Sequence, residues 1–352
     1  ESLRADLAQR PNNIDTRMWL AEVLFRKDDV NGAGAQLRQV VTLNPDHAGA
    51  HHALGRYYYL KNQFDDSERE IREALELDPN MFAAHVDLGD QQLMIKNDAA
   101  GAVTSYQSAV RINPQHAGAH YGLGTALARS GDLAGAERAW RKSADLDPSN
   151  PTPLFALGNL YMNQSKVQEA LGAFSSAIAI EPQHIQSYLA RGRIYAGRGN
   201  TRRALSDFET VNKINDKYAP AYLNIALVRQ QQGDRSRAIR AYRKALDLDD
   251  RLAMAHNNLA WILADQTDER AVALRHARRA TELQPRLGAY WDTLGWVQHQ
   301  MGDNEGALES LNKALELGKQ ASAYNHLAKV HMAMGNSAAA AQAEQAARQL
   351  EN

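Results

Sequence analysis

Histidine is the residue of this chain that most invites a chemical reading. His47 and His51 stand four apart, and so do His116 and His120, each pair inside the phrase HAGAH. Two imidazoles at that spacing on one helix can share a zinc ion. However, the first histidine of each pair falls just after a proline, at or before a helix start. No acidic third ligand follows in the HExxH manner. The pairs also hold equivalent places in two copies of one pattern, so duplication accounts for them. They read as packing histidines, with no metal. Gly122-Leu123-Gly124 looks like a phosphate loop but lies inside a helical pattern, where the backbone amides are already used. No GxSxG elbow occurs, and carboxylate pairs such as Asp65-Asp66 fall on turns and solvated faces. Catalysis needs titratable groups that converge in a pocket. None is singled out, so the chain is expected to be non-enzymatic and to need no cofactor.

Composition narrows the classes further. The chain has 352 residues, 44% of them hydrophobic, no cysteine and a formal net charge of −1. Such apolar and charged fractions exclude wholesale disorder. The lack of cysteine excludes a disulfide framework and a thiolate metal site. The near-zero charge argues against a general nucleic-acid or membrane-surface binder. No apolar run approaches the roughly 18 residues of a membrane-spanning helix.

The elements that must position any site come from internal repetition. Pro11, Pro45, Pro79, Pro114, Pro148, Pro182 and Pro285 mostly recur every 34 or 35 residues, and Asp216 and Asp250 fill the same slot. Upstream of each stands a leucine with a small residue, as in Leu54-Gly55, Leu123-Gly124, Leu157-Gly158 and Leu259-Ala260. Every unit holds two helical patterns. In 117–148, His120, Leu123, Gly124 and Leu127 keep helical spacing, and Ala136, Trp140, Ser143 and Leu146 form a second stripe. Gly131-Asp132 separates them: glycine suits a left-handed helix end and aspartate caps the next helix. Proline cannot continue the second helix, so the chain turns there. Small residues are expected to face each other within a pair, Gly124 with Ala136, Gly158 with Ala170 and Ala226 with Ala238. Tyr106, Trp140, Phe174, Phe208 and Tyr242 would then plug the space toward the next unit. One helix pair cannot bury its apolar face alone, so the units must stack.

This pattern resembles the tetratricopeptide repeat. Leu154, Leu157-Gly158, Tyr161, Ala170, Phe174, Ala177 and Pro182 match the family motif nearly in full, and Trp291, Leu294-Gly295, Ala307, Leu311 and Ala314 match it again. Ten units run over 14–352, after a partial one in 1–13 that supplies a second helix only. The third and eighth carry an extra residue near the inter-helix turn, within 96–99 and 265–270. The resemblance implies an all-α, right-handed superhelical solenoid, continuous over its ten repeats, with the last helix as a polar cap. The start inside a unit is expected of a piece of a longer or processed protein. His51, His85, His120 and His256 take the place where the family often has tryptophan.

In the family, first helices line a concave groove that binds partners. The slot after the aromatic or histidine position holds, among others, Tyr121, Phe155, Leu189, Leu223 and Asn257. The slot after leucine-glycine holds Glu22, Arg56, Asp90, Thr125, Asn159, Arg193, Leu227, Trp261, Trp296 and Lys329. Tyr121, Phe155, Leu189 and Leu223 would form an apolar strip that Trp261 and Trp296 continue, and exposed apolar strips mark binding sites. Asn224, Asn257, Asn258 and Asn325, interrupted by Ala190 and Thr293, resemble a fragment of the asparagine ladder that holds peptide backbone in some members. Asn159 and Arg193 fall short of the Lys/Asn/Arg clamp for a terminal carboxylate. On second helices, Arg202, Arg203, Arg237, Arg240, Arg243, Lys244, Arg275, Arg278 and Arg279 would make a basic outer face, whereas acidic residues outnumber basic ones two to one in 48–100. HNNLAWILAD (256–265) and YWDTLGWV (290–297) look like the last units of bacterial repeat proteins of envelope biogenesis and exopolysaccharide secretion, which favours a periplasmic or envelope location. The expectation is an interaction scaffold for a protein or peptide segment, without nucleic acid or a membrane span. A self-assembling homo-oligomer, or a regulatory domain of a larger enzyme or secretion protein, is the alternative.

Overall fold

The computed structural model describes residues 2–266 and 268–351, and every regular element among them is an α-helix. Residues 1 and 352, the outer bounds of the expected repeats, and residue 267 of the 265–270 turn lie outside the described residues. The chain divides into two compact units, Glu1–Pro182 and Gln183–Asn352.

The first unit opens with α1 (Ser2–Gln9) and continues with five pairs. These are α2 (Ile14–Arg26) with α3 (Val30–Leu43), α4 (Ala48–Leu60) with α5 (Phe64–Leu77), α6 (Phe82–Met94) with α7 (Ala99–Ile112), α8 (Ala117–Ser130) with α9 (Leu133–Leu146), and α10 (Thr152–Asn163) with α11 (Val167–Ile180). The second unit holds five more. They are α12 (Ile185–Gly197) with α13 (Thr201–Ile214), α14 (Ala219–Gln231) with α15 (Arg235–Leu248), α16 (Ala253–Ala264) with α17 (Arg270–Leu283), α18 (Gly288–Gln300) with α19 (Asn304–Leu317), and α20 (Ala321–Ala333) with α21 (Ser337–Glu351). Ten pairs after a lone helix is the count the sequence predicts. The extra residues appear in the connections between α6 and α7, one residue longer than the usual three, and between α16 and α17, two residues longer with α16 itself ending early.

The turns repeat because their chemistry repeats. The residue before the N-cap of the second helix has positive φ in nine pairs: Asp28, Asn62, Asn97, Gly131, Ser165, Gly199, Gly233, Gly302 and Gly335. Glycine takes that conformation without Cβ strain, and asparagine and aspartate tolerate it. The next residue then caps: the carboxylate of Asp132 accepts from the Gly135 amide at 2.8 Å, and Asp29, Asp98, Asp234 and Asp303 do the same three residues on. At the other end of the unit, the residue before the proline slot turns the chain. Asp78 Oδ1 accepts from the Asn80 amide at 3.0 Å, and Asn44, Asn113, Asp147, Asn215 and Asp249 repeat the bond.

Packing within a pair differs in one respect from the expectation. The glycine of the first helix does not chiefly make room for the alanine of the second. It makes room for the large side chain four residues further on. A Cβ at Gly124 would lie 2.6 Å from the Trp140 ring, and one at Gly158 would lie 2.5 Å from the Phe174 ring. Ala136 and Ala170 are fully buried beside these contacts. The plugs do reach the next unit as well: Tyr106 crowds Gly89 of its own pair, and a Cβ at Gly122 in α8 would lie 2.4 Å from the same ring. The last helix buries Ala340, Ala343 and Ala347 and leaves Glu344 exposed, so its outer face is polar.

Two glycine substitutions test this packing with opposite signs. Gly158→Ala forces a methyl into the Phe174 ring and should cost about 1–3 kcal/mol by overpacking, more than the gain in helix propensity returns. Gly172→Ala, inside α11 with nothing within 4 Å of the added carbon, should stabilise by about 0.5–1 kcal/mol. Thermal melts of both read the difference, and equal shifts would show that the glycine–phenylalanine joint does not limit packing.

Candidate functional site

First helices of neighbouring repeats lie side by side within each unit, α6 with α8, and α12 with α14, α16 with α18 and α18 with α20. Their shared face carries the two slots read from the sequence. The structure ranks them. Residues after leucine-glycine are the open ones: Arg56, Asp90, Asn159, Arg193, Trp261 and Lys329 are exposed, and only Thr125, Glu22, Leu227 and Trp296 are half-buried. The other slot turns toward neighbouring helices. Tyr121, Phe155 and Leu223 are half-buried, and Leu189 is buried at 6% exposure among Ala204, Leu205 and Phe208. Leu189 is therefore core rather than groove. Phe155 rests on Phe174, ring centres 5.7 Å apart, so part of its surface serves packing.

The asparagines behave unequally. Asn224 is buried and already paired, its Nδ2 donating to the Pro220 carbonyl at 2.7 Å and its Oδ1 accepting from Arg193 Nε at 3.3 Å. It has little left for a ligand. Asn258 donates to the Tyr242 hydroxyl at 3.1 Å, and Asn257 donates to Asn258 Oδ1 at 3.1 Å. Asn257 Oδ1 is buried without a partner. Asn159 is exposed on α10 in the first unit.

In the second unit one group stands out. Trp261 on α16 is 40% exposed although its slot is otherwise mostly polar. Trp296 on α18 lies 6.3 Å away between ring centres. His326 on α20 stacks on Trp296 at 4.6 Å and lies 5.6 Å from Trp261. Lys329 Nζ sits 4.7 Å above the Trp296 ring, a cation–π contact. His326 is held from behind, its Nδ1 donating to the buried Asp292 carboxylate at 2.7 Å. The result is an aromatic shelf with fixed geometry, a cationic edge and an open face. The sequence reading found its tryptophans but not Asp292, His326 or Lys329 as their supports. A signal existed. His52 Nε2 donates to Asp87 at 2.8 Å one repeat apart in the same slots, with acid and imidazole exchanged.

Six further histidines are structural. His47 and His116 cap helices, Nδ1 accepting from Ala50 and Ala119 amides at 3.1 and 3.0 Å. His51, His85, His120 and His256 donate from Nε2 to the carbonyl six residues back, at 2.8–3.0 Å. Trp291 makes the same bond from its indole to Pro285 at 2.9 Å. In these five repeats a ring N–H makes the bond, so histidine serves there as tryptophan does; Arg17 makes it from Nε to the Pro11 carbonyl at 3.0 Å, and Leu154, Tyr188, Tyr222 and Tyr324 hold the slot in the others. Among the described residues no three His, Asp or Glu side chains gather as a metal site. The basic residues of second helices are partly paired, Arg237 with Asp234, Arg243 with Glu269, and Arg279 with Glu282. No described helix is long and apolar enough to cross a membrane.

The tetratricopeptide repeat profiles match residues 48–81, 93–151, 155–216, 219–251 and 293–351. None of the curated proteins matches the chain. Among solved structures, the C-terminal part of a repeat-containing protein from Cytophaga hutchinsonii is 18% identical with a TM-score of 0.58, over 69% of this chain and 99% of that one. A tetratricopeptide repeat protein from Parabacteroides merdae is 20% identical with a TM-score of 0.52, over 71% and 98%. A chain of the APC/C hetero-tetramer Cut9–Hcn1 is 15% identical with a TM-score of 0.51, over 97% and 88%. At these identities the likeness is one of fold.

The site's neighbourhood predicts a pH response. His256 Nδ1 and His276 Nδ1 lie 2.8 Å apart, so the two rings share one proton between them. Burial pushes both below the ordinary histidine range, and for His276, which the His256 charge also disfavours, down to about 4. The unfolded chain takes up protons near the usual histidine pKa of about 6.5. Stability is thus full above that pH and falls as pH drops toward 4. Melts from pH 7.5 to 4.5 should show this loss, and His276→Leu should flatten it. An unchanged slope in the variant would assign the acid sensitivity elsewhere.

Proposed function

The chain belongs to the tetratricopeptide repeat family, and on that premise we propose that it is a non-enzymatic interaction scaffold whose first-helix face holds an extended segment of a protein partner. The exposure of Trp261 beside Trp296 carries this reading. A large aromatic left in water forgoes roughly 1.5–3 kcal/mol of burial, and here the packing of the repeat does not require it. A bound segment recovers that energy, and the fixed shelf spends little entropy in doing so. Within the first unit Tyr121 and Phe155 offer partial apolar surface beside the polar Asn159, and within the second Leu223 does so beside Arg193, Asn257 and Asn258. Leu189 and Asn224 take no part, because both are committed to packing.

A bacterial envelope or exopolysaccharide secretion assembly is the setting we favour. Its support is the wording of 256–265 and 290–297, the same stretches that carry both tryptophans.

Panning a random dodecapeptide library on the immobilised full chain supplies peptide ligands directly. Trp261→Ala should weaken the selected peptides about tenfold or more, the scale of a hot-spot aromatic. Tyr121→Ala should have a smaller effect, and Arg240→Ala with Arg243→Ala should matter mainly at low salt. Loss of binding in the arginine variants with Trp261 dispensable would move the site to the second-helix face. Light scattering that rises with concentration, and falls in Trp261→Ala, would instead identify a second copy of the chain as the occupant.

A further inference from the structure

A pocket in the first unit, far in sequence from the tryptophans, has a chemistry of its own. It lies between the C-terminal ends of α4 and α6 and is lined by Arg56, Tyr59, Leu60, Asp87, Asp90 and Gln91, with a volume of about 200 Å³. That is below the roughly 300–1,000 Å³ of drug-sized sites and suits a single side chain. Its walls are of two kinds. Tyr59 and Leu60 are 42% and 55% exposed and present apolar surface. Asp87, Asp90 and Gln91 present oxygen.

The oxygens are not all satisfied. Gln91 is only 5% exposed, and its Nε2 donates to Ser67 Oγ at 2.9 Å. Ser67 in turn donates to the Gly55 carbonyl at 2.7 Å, so its oxygen must accept from the amide nitrogen, which fixes the orientation of the glutamine. Gln91 Oε1 is left buried without a partner. Such an orphan acceptor is costly and wants a donor. Asp87 accepts from His52 through one oxygen, Oδ2, and Asp90 accepts from the Tyr106 hydroxyl through Oδ1. Each carboxylate keeps its second oxygen. Although Asp90 as a residue is exposed, partial desolvation of its carboxyl, with the Asp87 charge beside it, raises it above its ordinary range against the pull of the Tyr106 hydroxyl. A cation placed there would relieve both effects. The only cation lining the pocket is Arg56, which makes no ion pair among the described residues and instead lies over the Phe25 ring at 6.0 Å. Around the pocket, 48–100 carries twice as many acidic as basic residues.

An apolar wall ending in carboxylates and an orphan acceptor fits an alkyl stem with a cationic head. We infer that this pocket takes the side chain of a lysine or arginine carried by a segment held on the first-helix face of the first unit, an assignment that rests on the first-helix binding function proposed above. Asp87 and Asp90 supply charge-assisted acceptors, Gln91 gains its missing donor, and Tyr59 and Leu60 cover the methylenes. Arg56 is the competing cation that sets the affinity.

Saturation-transfer NMR on the full chain tests the pocket without any peptide. The probes are Nα-acetyl-lysine N-methylamide and its norleucine counterpart, which lacks only the amine. The lysine compound should bind and the norleucine compound should not. Asp87→Asn with Asp90→Asn should weaken the lysine compound about tenfold, the scale of a lost charge-assisted bond. Arg56→Ala should tighten it. Equal binding of the two probes, or no response to either set of substitutions, overturns the assignment. Should the double variant lose helicity, Arg56→Ala decides alone, and an unchanged or weaker affinity counts against the pocket. Failure of the groove reading looks different: no dodecapeptide is selected, or Trp261→Ala leaves the selected peptides bound, whatever the lysine probe does.

Discussion

Everything in this fold depends on how closely two helices of one repeat can approach. The joint is a ring laid on a glycine. Trp140 on Gly124, Phe174 on Gly158 and Phe208 on Gly192 each leave less than 3 Å for a carbon that is not there. The glycine costs helix propensity, about 1 kcal/mol against alanine. The ring repays it by filling the space between the helices and, for Tyr106, by reaching the next repeat through Gly122. Where the first helix carries alanine, as at Ala226 and Ala260, it and the facing Ala238 and Ala273 are fully buried. Once this joint is set, the positions of all outward slots follow.

A second constraint fixes where five of the ten repeats begin. The ring N–H of His51, His85, His120, His256 or Trp291 reaches back six residues to a carbonyl at the turn. That bond ties the first helix to the turn that precedes it and satisfies a carbonyl the turn leaves open. It also explains the histidine content better than metal chemistry does. The imidazoles are spaced for a backbone acceptor in their own repeat and not for one another. His256 and His276 are the exception, and their shared proton is a by-product of burying two rings in one α16–α17 joint.

These regularities were legible in the sequence because each is local and repeated. Gly131-Asp132, Gly233-Asp234 and Gly302-Asp303 state the turn in two letters, and the structure places a left-handed residue and a cap at each. The prolines and leucine-glycine pairs gave the register, and hence ten helix pairs. Burial in the groove slots was not legible. Leu189 and Leu223 hold the same motif position, yet one is core and the other half-buried, because the outcome depends on side chains a repeat away. Asn224 reads as a ladder residue until Pro220 and Arg193 are seen to occupy it. The supports of the aromatic shelf were missed for the same reason. Asp292 and His326 are 34 residues apart and meaningful only as a pair.

The two candidate surfaces then follow from one rule. Packing is satisfied by the ring, the glycine, the caps and the turn bond, so the slot after leucine-glycine is free to vary. It holds Arg56 and Asp90 in the first unit and Trp261 and Trp296 in the second. Free positions drift toward solvated polar residues unless something holds them otherwise. Asp90 could be fully hydrated, yet it is set against Tyr106 and beside a buried, unpartnered amide oxygen. Trp261 could be a lysine, as Lys329 is in the same slot, yet it stands half in water on a histidine anchored by a buried aspartate. Both arrangements carry a local cost that the repeat does not need for folding. A local cost of that kind, at positions whose side chains the repeat's own packing leaves free, is what a surface shaped for a ligand carries.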